Sequence, residues 1–213
     1  MTSTSIAASR ADRSRAVKAL KARVSAIGEV LPYFRLVQDL EGANESAHYS
    51  AIVAYPSSVV DEEERIKIEV GLREPLVEPA IYGTARTLLL DPVSGDQAIP
   101  GTTVLSLSRR EAMAEKFRAA LTRREVAIRD FYDIYHAVDR LGFFPGDREF
   151  VELVGRKLST PWNPPPDVSE ARLSALRTQI ATQLRPVLRR DDFAAFDFDR
   201  AVAIVRRMAA DIV

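Results

Sequence analysis

The 213-residue chain lacks several features, and each absence excludes a class of protein or site. It has no cysteine, which excludes disulfide bonds, thiolate metal sites and cysteine nucleophiles and fits the reducing environment of the cytoplasm. With only two histidines, a histidine-rich metal centre is not expected. No apolar run approaches the roughly 20 residues that span a bilayer, and the N-terminus has no apolar secretory segment. We therefore expect a cytoplasmic protein without a membrane partner.

Net charge is absent as well, because 30 Lys and Arg residues balance 30 Asp and Glu residues. A basic surface over the whole protein is thereby excluded, and any contact with nucleic acid must come from a local patch. What is present is an ordinary globular balance of 46% hydrophobic and 28% charged residues, which excludes a disordered or collagen-like chain. At roughly 150 residues per domain, the length predicts one domain or a domain with an appendage.

Hydrophobic periodicity predicts an α+β protein with a helix first, then a small sheet, then an all-helical part. Apolar residues three and four apart predict an amphipathic helix from Arg10. Residues 65–73 alternate, so Lys67 and Glu69 share the polar face of a strand, which is expected to pair with 48–55 in an antiparallel hairpin. The segments predicted beyond it are a short strand at 103–107 and helices at 108–122, 129–141, 147–158, 169–185 and 199–212.

A capping box begins the helix predicted at 108–122. The Ser108 hydroxyl can accept a hydrogen bond from the amide of Glu111, whose carboxylate can reach back to the cap. At about 3.6 residues per turn, the buried face collects Met113, Ala114, Phe117 and Leu121. The same rotation places four polar residues on the opposite face, in water: Glu111, Glu115, Arg118 and Thr122.

Three cations lie seven residues apart on one flank of this helix: Arg109, Lys116 and Arg123. A lysine at the edge of an apolar stripe can lay its stem on the core and hold its ammonium group over a neighbouring cleft. The next helix carries Asp130 and Asp133 three residues apart, also on one flank. From spacing alone, two salt-bridged helices are favoured, and a phosphate-binding cleft is the alternative.

The order of residue types around these helices resembles a known family. The stretch 114–119 reads Ala-Glu-Lys-Phe-Arg-Ala, and 129–133 reads Arg-Asp-Phe-Tyr-Asp. Upstream, 66–70 reads Ile-Lys-Ile-Glu-Val and is followed by Arg-Glu-Pro at 73–75. Together these motifs resemble the AbiEii/AbiGii abortive-infection toxins, which are nucleotidyltransferase-fold members of toxin–antitoxin systems.

The resemblance covers about 49–141 and has consequences for fold and activity. It implies an incomplete nucleotidyltransferase-like sheet, mixed or antiparallel, in residues 1–107, and a helical part in 108–213. It also implies an enzyme that transfers NMP from an NTP to an RNA acceptor such as tRNA, with Mg²⁺ as cofactor and a cognate antitoxin as protein partner. Such chemistry needs carboxylates that hold Mg²⁺ and cations that neutralise phosphate.

Site residues follow from the resemblance position by position. Glu69 matches the sheet-borne carboxylate and is the candidate metal ligand, Lys116 would contact the triphosphate, and Asp130 would position nucleotide or partner groups. An exposed strand face is an equal alternative for Glu69. Asp133 is expected to pair with Arg129 or with an arginine of the neighbouring helix. The remaining expected residues are the phosphate-binding Lys67, Arg109 and Arg123 and the structural or site-adjacent Arg118, Arg129 and Asp133.

One element of the family pattern is missing from the chain. In the superfamily, a Gly-Ser turn is followed by an Asp-x-Asp pair that binds the metal, and this sequence has no Gly-Ser dipeptide. Its only Asp-x-Asp is Asp197-Phe198-Asp199 at a predicted helix start, where an N-cap role is expected. The sequence therefore predicts a chain that starts downstream of the catalytic turn. Two functions stay open: an active nucleotidyltransferase toxin, and an inactive or truncated member that binds nucleotide, RNA or antitoxin.

Overall fold

The structure, a computed structural model, confirms the predicted α+β class and contains two compact units, Met1–Pro75 and Leu76–Val213. Each unit has its own hydrophobic core. No helix in the described part of the chain is both long and apolar enough to cross a membrane. The segments that the structure describes are 10–43, 48–57, 62–72, 76–161 and 163–212.

The first unit is a three-stranded antiparallel sheet preceded by helices. Its elements are α1 (Arg10–Ser25), α2 (Ile27–Val30), β1 (Arg35–Ala43), β2 (His48–Pro56) and β3 (Glu63–Gly71), with the strands in the order β1-β2-β3. The predicted hairpin is present, with Ile52 opposite Lys67 and Val53 opposite Ile66. Strand β1 was not predicted, and the end of the predicted strand and the Arg-Glu-Pro motif, residues 73–75, lie outside the described residues.

A small core joins α1 to this sheet. Because the apolar residues of α1 recur at helical spacing, Val24 is buried and packs in one cluster with Leu40, Tyr49 and Ala51. The cations Lys18 and Lys21 are exposed on the same helix. The predicted amphipathic helix is therefore confirmed, with Lys18 and Lys21 in solvent.

The second unit contains a two-stranded antiparallel hairpin followed by helices. The strand and the five helices predicted in this half are found, whereas the first strand of the hairpin, Ile81–Ala85, and a short helix, Arg190–Ala194, were not predicted. The predicted helix at 169–185 ends at Gln179 and continues as a π-helical turn, Ile180–Leu184. The elements are β4 (Ile81–Ala85), β5 (Thr102–Ser106), α3 (Arg109–Thr122), α4 (Ile128–Asp139), α5 (Arg148–Leu158), α6 (Glu170–Gln179), α7 (Arg190–Ala194) and α8 (Phe198–Ile212).

The core of the second unit lies among α3, α4, α5 and α8. Phe117, Phe131 and Phe150 are each at most 1% exposed, and the rings of Phe117 and Phe150 meet edge to face with centroids 5.7 Å apart. At the start of α8, the carboxylate of Asp197 accepts a hydrogen bond from the amide of Arg200 at 2.9 Å. This confirms the N-cap role predicted for Asp197.

Candidate functional site

Opposite charges from α3 and α4 meet where these two helices pack together. The Lys116 Nζ lies 2.6 Å from Asp133 Oδ2 and 3.5 Å from Asp130 Oδ1, and the Arg123 Nη1 lies 3.5 Å from Asp130 Oδ2. The seven-residue spacing of Lys116 in α3 and Arg123 at its C-cap, and the three-residue spacing of the acids in α4, put all four side chains on facing flanks. We refer to Lys116, Arg123, Asp130 and Asp133 as the α3–α4 charge cluster.

Burial differs sharply within this cluster. The side chain of Asp130 is only 6% exposed, whereas those of Lys116 and Arg123 are 41% and 50% exposed. Burial alone would lower the pKa of Lys116, but the carboxylates of Asp133 and Asp130 outweigh it and raise the pKa of the ammonium group above its ordinary value. Lys116 is therefore a fixed positive charge that remains open to solvent.

Arg109, which lies outside the cluster, and Asp133, which belongs to it, have different partners from those expected. Arg109 is one end of the seven-residue series, about 10 Å along the helix axis from Lys116. Its guanidinium group donates to the carbonyl oxygen of Leu141 at 3.0 Å instead of joining the cluster. Asp133 links the two helices as expected, but its partner is Lys116 and not an arginine, while Arg129 is exposed on α4.

A second, buried ionic network lies on the face of α3 that was predicted to be in water. That prediction is wrong: Glu111 is 0% exposed and its carboxylate forms an ion pair with the buried ammonium group of Lys157 from α5. Ser108 accepts from the Glu111 amide at 2.9 Å, as in the predicted capping box. The carboxylate, however, does not reach back to the cap, because it accepts hydrogen bonds from the backbone amides of Val77 and Glu78 at 3.1 and 3.0 Å.

The rest of this network runs along the same face of α3. Arg118, expected in solvent, has a side chain only 13% exposed that contacts Glu115 at 2.6 Å and Asn163 at 3.1 Å. Thr122 is also buried, at 3% exposed. Other parts of the protein therefore cover both the apolar and the polar face of α3. The spacing of apolar residues along a helix cannot reveal burial of its polar face. One signal was available in α5, where Lys157 follows Phe150, Leu153 and Val154 at helical spacing on the buried face.

Acid is expected to destabilise the protein through Glu111. Burial opposes the charge of this carboxylate, but Lys157 and the two backbone amides outweigh burial and hold its pKa below the ordinary 4.5. A depressed folded-state pKa adds stability above the unfolded-state pKa, and this stability is lost as the pH falls through the folded-state pKa. In urea unfolding at a series of pH values below about 5, the free energy of unfolding should fall more steeply for the parent than for Glu111→Gln. Parallel curves would contradict the role of Glu111.

The predicted metal ligand lies on the exposed face of β3. Glu69 Oε1 is 2.7 Å from the Lys67 Nζ and 3.4 Å from His48 Nε2, and its side chain is 52% exposed. The hydrogen bond and charge of Lys67 lower the pKa of Glu69. In the described ranges, no three His, Cys, Asp or Glu side chains are grouped so that they could hold a metal ion. A lone carboxylate paired with an ammonium group does not fit Mg²⁺, which binds through carboxylates and retained waters in octahedral geometry.

The turn between α3 and α4 adds a cavity beside the cluster. Residues 123–127, which we call the arginine turn, begin with Arg123 and Arg124. The cavity has a volume of about 660 Å³, and both arginines line it together with Gln179 and Gln183 from the α6 side. Arg123 therefore borders the cavity and also contacts Asp130.

Comparison with known proteins identifies the family. The model of the family described as nucleotidyl transferase AbiEii toxin, type IV toxin–antitoxin system, matches residues 3–203. A solved structure from H. pylori, whose description assigns nucleotidyltransferase activity provisionally, is similar at 13% identity with a TM-score of 0.42. The match covers 84% of this chain and 66% of that one, just under two thirds. No curated protein matches. Since the family model spans nearly the whole sequence, the chain belongs to the AbiEii nucleotidyltransferase toxin family of type IV toxin–antitoxin systems.

Proposed function

We propose that these 213 residues form the nucleotide-binding part of a toxin that transfers NMP from an NTP to an RNA acceptor such as tRNA. The observation that carries the proposal is the α3–α4 charge cluster, in which Lys116 is held between Asp130 and Asp133 beside Arg123. Family membership supports the reaction class, and the cluster supports where nucleotide binds.

The chemistry of the cluster suits a triphosphate. An ammonium group has three hydrogen-bond donors, and Asp130 and Asp133 fix its position while the group stays partly in solvent. A guanidinium group can bind two phosphate oxygens in a fork, and that of Arg123 is half exposed at the edge of the adjoining cavity. In this proposal Lys116 and Arg123 bind phosphate, and Asp130 orients both cations from the buried side of the cluster.

Asp130 is suited to orientation because it is buried beneath the two cations. Its Oδ1 faces Lys116 and its Oδ2 faces Arg123, so one carboxylate sets the spacing between the two positive charges. Its position in the first turn of α4 adds a favourable interaction with the helix dipole of about 0.3–1 kcal/mol. The carboxylate therefore stabilises the helix start and the site together.

Within the proposal, the site presents two cations that are paired with Asp130 and Asp133, and the sequence lacks the Asp-x-Asp pair that holds the family's metal. In the described residues the carboxylate of Glu69 is paired with the ammonium group of Lys67 and the imidazole ring of His48, and the sequence has no Asp-x-Asp pair before it. This favours the second function left open by the sequence, in which the chain acts as a binding module toward nucleotide, RNA or the antitoxin. We assign no step of the reaction to a metal ion.

Binding without transfer is the expected behaviour of the isolated 213-residue chain. Incubation with radiolabelled NTP, total tRNA and Mg²⁺ should give no incorporation above that of a Glu69→Gln control, because the metal-binding aspartate pair is absent. The measurement is labelled RNA resolved on a denaturing gel. Incorporation by the parent that exceeds the Gln control would contradict this prediction and would establish Glu69 as part of a working metal site.

A further inference from the structure

Helix α6 makes contacts at the beginning of the arginine turn. The guanidinium group of Arg172 donates from Nη1 to the carbonyl oxygen of Arg123 at 2.8 Å and from Nη2 to that of Ala120 at 3.0 Å. Both acceptors are carbonyl groups at the C-terminal end of α3, which lack partners within the helix. A cation at this end also complements the helix dipole. Arg172 thus fixes where α3 stops and the turn begins.

The same helix makes contacts at the other end of the turn. The side-chain amide of Gln179 accepts from the backbone amide of Ile128 at 2.9 Å and donates to the carbonyl oxygen of Val126 at 2.9 Å. Ala127, the N-cap of α4, has no side chain that could satisfy these groups. Gln179 therefore replaces the missing cap and fixes where α4 begins.

Arg172 and Gln179 are seven residues apart, which is close to two helical turns, so they lie on one face of α6. The segment held by these contacts begins with Arg123 and ends at Ile128, and Asp130 lies two residues after Ile128. The Nε of Arg172 is buried without a hydrogen-bond partner in the described structure, and burial lowers the pKa of this guanidinium group. A buried guanidinium nitrogen without a hydrogen bond costs stability, which argues for a role of Arg172 in fixing geometry.

We propose that Arg172 and Gln179 are positioning residues, which hold the arginine turn so that Arg123 faces both Asp130 and the adjoining cavity. The inference rests on the proposed function, because it gives α6 a task in binding the NTP. In this arrangement Arg172 bonds the end of α3, and Gln179, which lines the cavity, bonds Val126 and Ile128. Each acts through Arg123, and loss of either contact lets the turn move away from the phosphate.

A double-mutant cycle on nucleotide binding tests this coupling. With magnesium-free ATP as the calorimetric probe, Gln179→Ala should weaken binding roughly threefold to tenfold, the loss expected for one or two hydrogen bonds. In an Arg123→Ala background the same change should have almost no further effect, because the side chain that it positions is gone. Arg172→Lys, which can keep one carbonyl contact, should bind better than Arg172→Ala. Thr178→Ala, an exposed neighbour on α6 whose hydroxyl bonds within its own helix, is the matched control and should bind like the parent.

Three results would overturn the inference. Additive effects of Gln179→Ala and Arg123→Ala on the Kd would mean that α6 does not act through Arg123. A lower Tm for Gln179→Ala with an unchanged Kd would mean that Gln179 only stabilises the fold. The hydrogen-exchange rate of the Ile128 amide should rise in Gln179→Ala, and an unchanged rate would show that Gln179 does not bond this amide.

If the parent binds none of the four common NTPs, the proposed function fails, whereas the exchange experiment still reports separately on the α6 contacts.

Discussion

Replacing Lys157 by methionine is expected to lower the free energy of unfolding by about 3–5 kcal/mol. The methionine side chain fills a similar volume, so the loss is electrostatic. Glu111 is fully buried and would be left without its counter-ion, with the backbone amides of Val77 and Glu78 as donors. A buried charge deprived of its counter-ion is among the most destabilising changes known for single residues.

The control for this variant lies on the same helix. Arg148→Met removes a cation whose side chain is 92% exposed and whose partner Glu152 is one turn away, and such surface pairs contribute about 0.3–0.5 kcal/mol. Urea unfolding of both variants gives the comparison. Glu111→Gln combined with Lys157→Met should lose less than the sum of the two single changes, because no buried charge is left unpaired. A loss below 1 kcal/mol for Lys157→Met would show that the buried pair contributes little.

Replacing Lys116 by methionine is expected to weaken NTP binding by roughly 10- to 100-fold, the loss of one charge-assisted hydrogen bond. The apolar stem is retained, and only the ammonium group that would meet the phosphate disappears. The effect on stability should be smaller than for Lys157→Met, since Lys116 is 41% exposed and Arg123 still faces Asp130.

Calorimetric titration of each NTP into the parent, Lys116→Met and Arg148→Met separates a local effect from a general one. Arg148→Met removes the same charge from the same unit and should change the Kd less than twofold, because the charge is screened by solvent. Equal losses for the two variants would indicate nonspecific attraction of the triphosphate. An unchanged Kd for Lys116→Met would show that Lys116 does not contribute to NTP binding.

Much of the fold follows from local patterns in the sequence. The β2–β3 hairpin was predicted because apolar and polar residues alternate in 65–73, and the helices of the second half because their apolar residues recur every three or four positions. Strands β1 and β4 and helix α7 were missed, since β1 has register shifts in its pairing with β2, and β4 and α7 are only five residues long. Such elements depend on tertiary contacts more than on period.

The candidate site could be predicted only in part. The seven-residue spacing of Lys116 and Arg123, and the three-residue spacing of Asp130 and Asp133, correctly put these charges on helix flanks that can meet. The same spacing did not show that Arg109 turns to Leu141, because that contact depends on the loop after α4. The contacts of Arg172 and Gln179 with the arginine turn join residues about 50 positions apart, and no local pattern records them.

The proposed nucleotide site is tested most directly by a crystal structure of the chain with a non-hydrolysable NTP analogue. The proposal predicts phosphate oxygens roughly 2.7–2.9 Å from the Lys116 Nζ and from the guanidinium group of Arg123, the usual range for charge-assisted hydrogen bonds. A well-ordered triphosphate that contacts neither Lys116 nor Arg123 would contradict the assignment of the nucleotide site to the α3–α4 charge cluster.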